Sequence, residues 1–323
     1  MSLRPNDKFI VLDALTYAGS LEHLPISTQK GEDERLQFWY GDVTNPELVK
    51  TLVSQSNIVI HFAAETHVTR SIFDNNVFFH TDVIGTQTIA NAIVQSRDNI
   101  ERFIHISTSE VYGTALDEKI DEDHTLMPFS PYAAAKCGAD RLVYSYWKTY
   151  DLPATIIRPF NCFGPRQHLE KVIPRFITSV ILDEPVTIHG DGSAARDFIF
   201  VEDLCDAIQK VVEAPLVSVA GEVFNVATGQ HRDIKSIAHD IITLMDGNKD
   251  RIKFLGDRPG QVVRHTGDAS KISRLLGWSN QSSWISGLQK TIDWYSENSE
   301  IWKHQIWLRY VPITLPNGRT ELH

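Results

Sequence analysis

Cysteine is scarce in this sequence, and no pattern of metal ligands is present. The chain of 323 residues contains three cysteines, Cys137, Cys162 and Cys205, which lie far apart. They provide neither a disulfide framework nor a paired metal-ligand spacing, and the thirteen histidines are scattered without a zinc-type spacing. We therefore expect no metal site, and a reduced protein of the cytoplasm.

Long apolar runs and basic runs are missing as well. No apolar stretch reaches the length needed to span a membrane, and we see no signal peptide. The 31 basic residues are outnumbered by 41 acidic ones, which gives a net charge of −10. We therefore expect neither a membrane nor nucleic acid as a partner. A hydrophobic content of 42% is enough for a large core, in one large domain or two coupled ones.

A glycine-rich phosphate loop is the third absence. Near the start, in FIVLDALTYAGSLEHL, four apolar residues lead into Asp13. This pattern is typical of a buried parallel strand whose terminal acid binds the ribose of adenosine. Such an acid usually ends the second strand, and the first strand with its loop comes about 20 residues earlier. Only residues 1–8 precede this strand, so we expect the first strand, its loop and the first helix to be missing.

Short apolar runs alternate with helical stretches over the first half of the chain. This alternation predicts an α/β protein with a doubly wound parallel sheet, here truncated at its N-terminus. The helices are predicted at 46–55, about 75–96 and 130–150. After Phe163 the pattern loosens, which predicts a domain over 1–163 and a smaller substrate lobe over 164–323, with segments near 195–228 returning to the first domain. Ligands bind at the carboxyl ends of such strands, which are predicted at Asp13, Asp42, Ala63–Ala64, Thr108 and Asn161.

The strongest chemical signal is SPYAAAK, residues 130–136. Ser130 suits a helix N-cap and Pro131 the first helical position. Tyr132 and Lys136 then lie one turn apart on the same helix face, where the lysine should lower the pKa of the tyrosine. A tyrosine that ionises near neutrality can take a proton from a sugar hydroxyl. Taken alone, the same spacing also occurs on solvated surface helices.

A second polar group ends the strand before this helix. In ISTSEVYG, Thr108, Ser109 and Glu110 are expected at the carboxyl edge of the sheet, facing the same crevice as Tyr132. The alternative is that Glu110 only caps the following turn. We predict that Thr108, Ser109, Glu110, Tyr132 and Lys136 form the catalytic group.

A series of segments connects these motifs to a known family. The chain resembles the extended short-chain dehydrogenase/reductase family of nucleotide-sugar enzymes, which have a Rossmann-like fold. LDALTYAG, HLEKVIPRFI and DRPGQ are similar to segments of its dTDP-glucose 4,6-dehydratase subgroup. The segments that carry the resemblance lie in order over residues 40–261: YGDV, IHFAAETHV, STSEVYG, SPYAAAK, RPFNCFGPRQ, GDGSAARDFIFVEDL, EVFNVATG and DRPGQ.

The resemblance implies an NAD-dependent lyase that acts on a nucleotide-diphosphate sugar and forms a homodimer through the helices at about 75–96 and 131–149. Tyr132 would act as the base and Lys136 as its partner. Taken one at a time, the cationic residues that the resemblance assigns to the substrate (Lys171, Arg196 and Arg258) could instead form surface salt bridges. The implied cofactor residues are Asp13, Asp42, Val43, Ala63, Ala64, Thr66, Thr81, Tyr132 and Lys136. The implied substrate residues are Thr108, Asn161, Lys171, Val172, Arg196, Asn225 and Arg258.

Ser109 departs from the subgroup, which usually has Asp there as the acid that protonates the leaving 6-hydroxyl group. Thr-Ser-Glu resembles GDP-mannose and UDP-N-acetylglucosamine dehydratases, where the single Glu would carry both proton transfers, and also UDP-glucuronate decarboxylases. We expect a 4,6-dehydratase that converts a nucleotide-hexose to its 4-keto-6-deoxy form. The alternatives are a 4-epimerase, a decarboxylase with Arg166 on the uronate, and a chain that binds nucleotide-sugar without NAD. Because the phosphate loop is missing, we expect the chain as printed to retain little NAD and to lack activity.

Overall fold

The computed structural model describes residues 4–25, 28, 31, 33–256, 262–314 and 320–322. The strands within these ranges are β1 (Phe9–Asp13), β2 (Leu36–Tyr40), β3 (Ile58–His61), β4 (Arg102–Ile106), β5 (Ala154–Pro159), β6 (Asn161–Phe163), β7 (Val186–His189), β8 (Ala195–Phe200), β9 (Val223–Val226), β10 (His231–Asp233), β11 (Ile252–Leu255), β12 (Pro312–Thr314) and β13 (Thr320–Leu322). The helices are α1 (Pro46–Val53), α2 (Val68–Phe73), α3 (Asn76–Phe78), α4 (Thr86–Gln95), α5 (Pro131–Tyr150), α6 (Val172–Ile181), α7 (Val201–Glu213), α8 (Ile234–Leu244), α9 (Ser270–Leu276), α10 (Trp284–Glu297) and α11 (Ser299–Trp302).

The main sheet is parallel and has the strand order β3-β4-β5-β9. Its central strands consist mostly of β-branched and aromatic residues, and Ile104 and Ile157 are fully buried between the helical layers. The predicted α/β fold with a parallel sheet is therefore confirmed. β9 comes from late in the chain and lies beside β5, so the two halves of the sequence share this sheet.

A separate two-stranded parallel sheet consists of β1 and β2. Among the described strands, β1 pairs only with β2, and β3 pairs only with β4. Next to β3, the side chains of Ile60 and Phe62 are 36% and 56% exposed, whereas those of β4 and β5 are nearly all buried. The parallel strands of the first half of the chain therefore belong to two separate sheets, β1-β2 and the main sheet that β3 borders.

Two helical regions, over residues 76–95 and 131–150, pack across the main sheet. The helix predicted at about 75–96 consists of α3, a π-helical segment over Phe79–Gly85, and α4. The π-helical segment was not predicted, because the apolar pattern alone does not register one inserted residue. α5 begins as predicted: Ser130 accepts the Ala133 N–H at 3.1 Å, and Pro131 occupies the first turn.

The strand predicted to end at Asn161 is in fact two strands. β5 ends at Pro159, and the Phe160 N–H still bonds to the Val226 carbonyl oxygen at 3.0 Å. The chain then crosses to a second sheet, where Asn161 begins β6 and pairs with Phe198 of β8. A continuous apolar run shows burial but not a change of partner strand, which explains the difference.

The second core lies under the C-terminal segments. Phe163, Phe176 and Phe198 pack there with the apolar faces of α6, α8 and α10, around the small sheets β10-β8-β6 and β11-β7. Within the described ranges, we find no helix with the length and apolar content that a membrane crossing requires. Between these two cores, the polar ends of β4, β5 and β6 open into one cleft.

Candidate active site

The cleft is a cavity of about 430 Å³ at the carboxyl ends of β4 and β5. Side chains from both halves of the chain line it, and they include hydroxyl, carboxyl and cationic groups. The predicted site residues among its walls are Thr66, Thr108, Ser109, Glu110, Tyr132, Asn161, Lys171, Val172 and Arg196. Further polar residues that the sequence did not single out are His67, Gln167, Glu170, Arg175, Thr187 and His189.

Thr108, Ser109 and Glu110 are held on a tight turn directly after β4. Thr108 is the N-cap of the 3-10 turn Ser109–Tyr112, and its Oγ1 accepts the Glu110 N–H at 3.2 Å. The cap is therefore the threonine hydroxyl, and the Glu110 carboxylate lines the cavity with 19% of its side chain exposed. Ser109 is buried, at 2% exposure, and also lines the cavity.

Tyr132 lies in the first turn of α5, and its phenol ring lines the cavity beside Thr108. Burial raises the pKa of Tyr132, and the negative charges of Asp82 and Glu110 act in the same direction. A hydrogen bond with the Thr108 side chain partly opposes the increase in this pKa.

In this arrangement Lys136 is not among the groups that lower the pKa of Tyr132. Lys136 is 3% exposed, and its ammonium group donates to the carbonyl oxygen of Ile106 at 2.8 Å. Because burial dominates, the pKa of Lys136 is itself lowered, although Asp82 and Asp140 oppose this change. Lys136 is thus a buried cation behind the cavity wall.

Two buried acids surround Lys136. Asp82 lies in the π-helical segment, where its Oδ1 accepts the Glu65 N–H at 2.8 Å, and burial raises the pKa of Asp82 to about 7. Asp140 forms an ion pair with Arg158 at 2.9 Å. Burial disfavours the charge on Asp140, but Arg158 outweighs it and holds the pKa of Asp140 well below its usual range. Both acids favour the charged form of Lys136, against the effect of its burial.

Three cationic side chains also line the cavity. Lys171, Arg175 and Arg196 all line it, and the Lys171 ammonium group donates to the Thr66 carbonyl oxygen at 2.6 Å. Glu170 is buried there and accepts hydrogen bonds from Tyr17 at 2.8 Å and Arg70 at 2.9 Å. Charge-assisted contacts from lysine and arginine are the usual way to hold a diphosphate.

Arg175 was not among the residues predicted for the site, although its position in the sequence indicates it. Arg175 is four residues beyond Lys171 at the start of α6, so both side chains belong to the same face of that helix. It also lies within HLEKVIPRFI, the segment that resembles nucleotide-binding segments.

The predicted cofactor residues lie mostly along one edge, at the carboxyl ends of β1, β2 and β3. Asp13 accepts the Leu15 N–H at 2.7 Å, and Asp42 accepts the Thr44 N–H at 2.8 Å. The remaining positions differ in surroundings: Ala63 packs on the core, Ala64 follows it, Val43 is buried in the core, and Thr81 lies in the π-helical segment. The carboxylate of Asp13, at the end of a parallel strand, fits the ribose in the adenosine half of NAD, whereas the Val43 side chain is already packed in the core. The sequence contains no Gly-x-x-Gly-x-x-Gly segment for the pyrophosphate.

Asn225 does not reach the cavity, so its predicted contact with the substrate is wrong. It is fully buried, its Oδ1 accepts the Tyr112 hydroxyl at 2.7 Å, and its Nδ2 donates to the Ile120 carbonyl oxygen at 3.0 Å. A motif does not show whether the side chain of one of its residues is already hydrogen-bonded inside the protein. Arg258, the last predicted substrate residue, lies outside the described residues.

Arg166, proposed for the decarboxylase alternative, lies outside the cavity wall. Its guanidinium group is 5.7 Å from the centre of the Trp294 ring, and its side chain is exposed. The cation expected for a uronate carboxylate is therefore not supplied by this residue.

Known proteins match this chain over most of its length. The family model described as GDP-mannose 4,6 dehydratase matches residues 6–291. The low-salt glycan biosynthesis protein Agl12 of Haloferax volcanii is 41% identical over 295 residues, which are 91% of this chain and 92% of that protein. The human dTDP-D-glucose 4,6-dehydratase is 35% identical over 93% of this chain and 85% of its own length.

Solved structures agree with these relatives. The structure of DesIV, a dTDP-glucose 4,6-dehydratase of Streptomyces venezuelae with NAD bound, superposes with a TM-score of 0.88. It is 35% identical and the match covers 93% of this chain and 91% of that one. The fold and the polar cleft define an extended short-chain dehydrogenase/reductase of the nucleotide-sugar-modifying class. Within this class, the chain belongs to the GDP-mannose 4,6 dehydratase family, as the sequence motifs predicted.

Proposed function

We propose that this chain is a nucleotide-sugar 4,6-dehydratase, which converts a nucleotide-hexose to the nucleotide-4-keto-6-deoxyhexose with the help of NAD. One observation carries the proposal: Thr108, Glu110 and Tyr132 share a single cavity with Lys171, Arg175 and Arg196. The first three provide proton-transfer groups for a sugar ring, and the cationic three suit a diphosphate. Relatives and structural neighbours of this kind support the same reaction.

NAD would bind along the edge that Asp13, Asp42 and Thr66 occupy, with Lys136 near its reactive end. When bound, it supplies a reversible oxidation and reduction of the sugar. The chain's own residues orient the substrate and move the protons. Residues 1–163 would hold mainly the cofactor, and 164–323 mainly the nucleotide-sugar.

Tyr132 is proposed to take the proton of the 4-hydroxyl group. The Thr108 hydroxyl bonds to the phenol and is positioned to hold the same sugar oxygen. Since burial raises the pKa of Tyr132, its phenolate needs a nearby cation. We assign this task to Lys136, whose ammonium group would turn from the Ile106 carbonyl oxygen toward the ring.

Glu110 is proposed to carry out the elimination. A ketone at C4 makes the C5 proton acidic, and the Glu110 carboxylate takes it. The C5 electron pair forms the C5–C6 double bond while the C6–O bond breaks. The leaving oxygen collects the proton from Glu110 and departs as water, which balances the step. The second acid that Asp provides in related enzymes is Ser109 here, so one carboxyl group serves both transfers.

Glu110 also separates this proposal from the 4-epimerase alternative. An epimerase needs the tyrosine and the lysine but no carboxylate beside the sugar, whereas Glu110 lines the cavity. A chain that binds nucleotide-sugar without NAD is the other alternative, and the separation of β1-β2 from the main sheet is the observation in its favour.

One experiment tests the function and the alternatives together. The 323-residue chain, and the same chain preceded by a strand, glycine-rich loop and helix, are each incubated with NAD and dTDP-glucose, GDP-mannose or a UDP-hexose. With the added unit present, we expect one of these substrates to give a product lighter by one water. Without that unit, we expect calorimetry to show weak NAD binding. Micromolar NAD binding by the 323-residue chain would contradict the second expectation. An isomer without loss of water would favour the epimerase.

We further propose that the enzyme is a cytoplasmic homodimer. Its three cysteines are unpaired thiols, as is usual in a reducing compartment. Exposed apolar side chains lie on the two helical regions over residues 76–95 and 131–150, among them Val77, Phe79, Ile84 and Tyr144. These helices would provide a two-fold interface.

A further inference from the structure

The imidazole ring of His265 lies directly behind Glu110. His265 is fully buried, and its Nδ1 is 3.9 Å from Oε1 of Glu110. Its backbone N–H donates to the Ala195 carbonyl oxygen at 3.1 Å, so the ring is fixed to the strand that carries Arg196. The residue thus joins the substrate lobe to the turn after β4.

The other ring nitrogen determines where the proton lies. His265 Nε2 contacts the carbonyl oxygen of Gly113, and a carbonyl oxygen can only accept, so Nε2 carries the hydrogen. Gly113 is itself fixed, because its φ is +72° and a Cβ there would be 2.1 Å from the Met127 carbonyl oxygen. In the neutral ring, Nδ1 therefore presents a lone pair on the side of Glu110.

That lone pair is otherwise unused. His265 Nδ1 is a buried atom with no hydrogen-bond partner among the described residues. A neutral Nδ1 and a carboxylate are both acceptors, so the pair is stable at close range only when one proton lies between them. Burial lowers the pKa of His265, Arg196 and His124 also lower it, and the carboxylate of Glu110 and the Gly113 carbonyl raise it.

We propose that His265 is a positioning residue that shares one proton with Glu110. The inference rests on the proposed dehydration. After Glu110 takes the C5 proton, Nδ1 of His265 accepts a hydrogen bond from the new carboxylic acid and fixes its orientation. The proton then passes to the departing C6 oxygen, and Glu110 returns to its carboxylate form. His265 thereby orients the proton on Glu110, so that one carboxyl group can do what would otherwise need a second acid at the position of Ser109.

Nitrogen NMR on the full chain, labelled with ¹⁵N at histidine, tests the proton sharing without any cofactor or substrate. We expect His265 to carry its hydrogen on Nε2, and its Nδ1 resonance to depend on pH through the proton shared with the carboxyl group. In Glu110→Gln this pH-dependent change should disappear, while His231, whose Nδ1 faces the Thr266 hydroxyl at 2.8 Å, should be unaffected. A His265 resonance indifferent to Glu110→Gln, or a hydrogen on Nδ1 with a bare Nε2, would overturn the proposal.

Kinetics of His265→Gln test the consequence in a chain that forms product. The glutamine amide can still donate to the Gly113 carbonyl oxygen but offers no group in place of Nδ1. We expect kcat for dehydration to fall roughly tenfold to a hundredfold, less than the 10²–10⁴ of a directly acting group, with KM nearly unchanged. A higher KM with kcat intact would indicate a purely structural role and overturn the proposal. If the chain preceded by the strand, glycine-rich loop and helix forms no dehydrated product, the proposed function is refuted, while the NMR result still decides the proton sharing.

Discussion

The Tyr17 hydroxyl group donates to Oε1 of Glu170 at 2.8 Å, across 153 positions of sequence. Arg70 stacks on the Tyr17 ring, 4.1 Å from its centre, and bonds to the other carboxylate oxygen of Glu170. This contact ties the loop after β1 to the loop before α6, which carries Glu170 and Lys171 of the cavity wall. The loop after β1 therefore supports part of that wall.

Tyr17→Phe should lower the free energy of unfolding by about 1.5–3 kcal/mol, since it removes a hydrogen bond to a buried charge. It should also raise KM for the nucleotide-sugar, because Glu170 lies beside Lys171. Thermal unfolding and KM measure the two effects. Tyr40→Phe is the matched control, because Tyr40 is 73% exposed. Equal behaviour of the two variants would contradict the role given to the Tyr17–Glu170 contact.

Glu110→Gln should block dehydration while leaving the first oxidation of the sugar intact. The amide keeps the shape of the side chain but cannot accept the C5 proton. In a single turnover with bound NAD, we expect near-ultraviolet absorbance of the reduced nicotinamide to build up and no product lighter by water. Glu118→Gln, at an exposed position outside the cavity, is the control. Product formation by Glu110→Gln at the parent rate would remove Glu110 from the mechanism.

Arg175→Gln should raise KM for the nucleotide-sugar by about tenfold or more, because one charge-assisted contact to the diphosphate contributes about 1.5–3 kcal/mol. The kcat value should change much less, since Arg175 is assigned to the diphosphate and not to the proton transfers. Arg166→Gln, at an exposed arginine outside the cavity wall, should behave like the parent. If Arg166→Gln is the variant that loses substrate affinity, the diphosphate site is misassigned.

Asp82→Asn should change how stability depends on pH. Burial raises the pKa of Asp82 in the folded protein to about 7 from 3.8, so the folded state binds the proton more tightly than the unfolded chain does. The parent therefore loses stability as the pH rises from about 4 to 7, by at most about 4 kcal/mol. Asparagine keeps an acceptor for the Glu65 N–H without this titration. Thermal unfolding at pH 5 and pH 8 should show the variant gaining on the parent at the higher pH, and an equal difference at both would contradict the assignment.

Phe79→Asp should convert the proposed dimer to a monomer. Phe79 is 43% exposed at the start of the π-helical segment, and an acid there would be costly to bury in a two-fold interface. Light scattering at micromolar concentration measures the change. Leu116→Asp, at an exposed loop position away from these helices, should stay dimeric. A parent that is already monomeric at this concentration would refute the interface.

The residues of the proposed catalytic group could be placed in the cavity wall from the sequence because their positions depend on local spacing. Ser130 and Pro131 define the start of α5, and the helical period then sets Tyr132 and Lys136 one turn apart. Thr108 and Glu110 follow a clear apolar strand, so their edge of the sheet was predictable.

The remaining features depend on contacts between segments distant in sequence. The Lys136 ammonium group donates to the Ile106 carbonyl oxygen, and the Asn225 side chain is hydrogen-bonded to Tyr112 and Ile120. His265 lies close to Glu110 although 155 positions of sequence separate them, and no sequence motif indicates this proximity. Such pairings arise from tertiary packing, which a single sequence does not display.

The separation of β1-β2 from the main sheet also bears on how the protein behaves at high concentration. β1 and β3 each have one edge whose backbone N–H and C=O groups pair with no described strand, and the apolar side chains of Ile60 and Phe62 lie at or next to β3. Edges of this kind can recruit extended segments of other molecules and start aggregation. The net charge of −10 opposes such encounters through mutual repulsion between chains. Added salt, which screens this repulsion, therefore works against the solubility of the 323-residue chain.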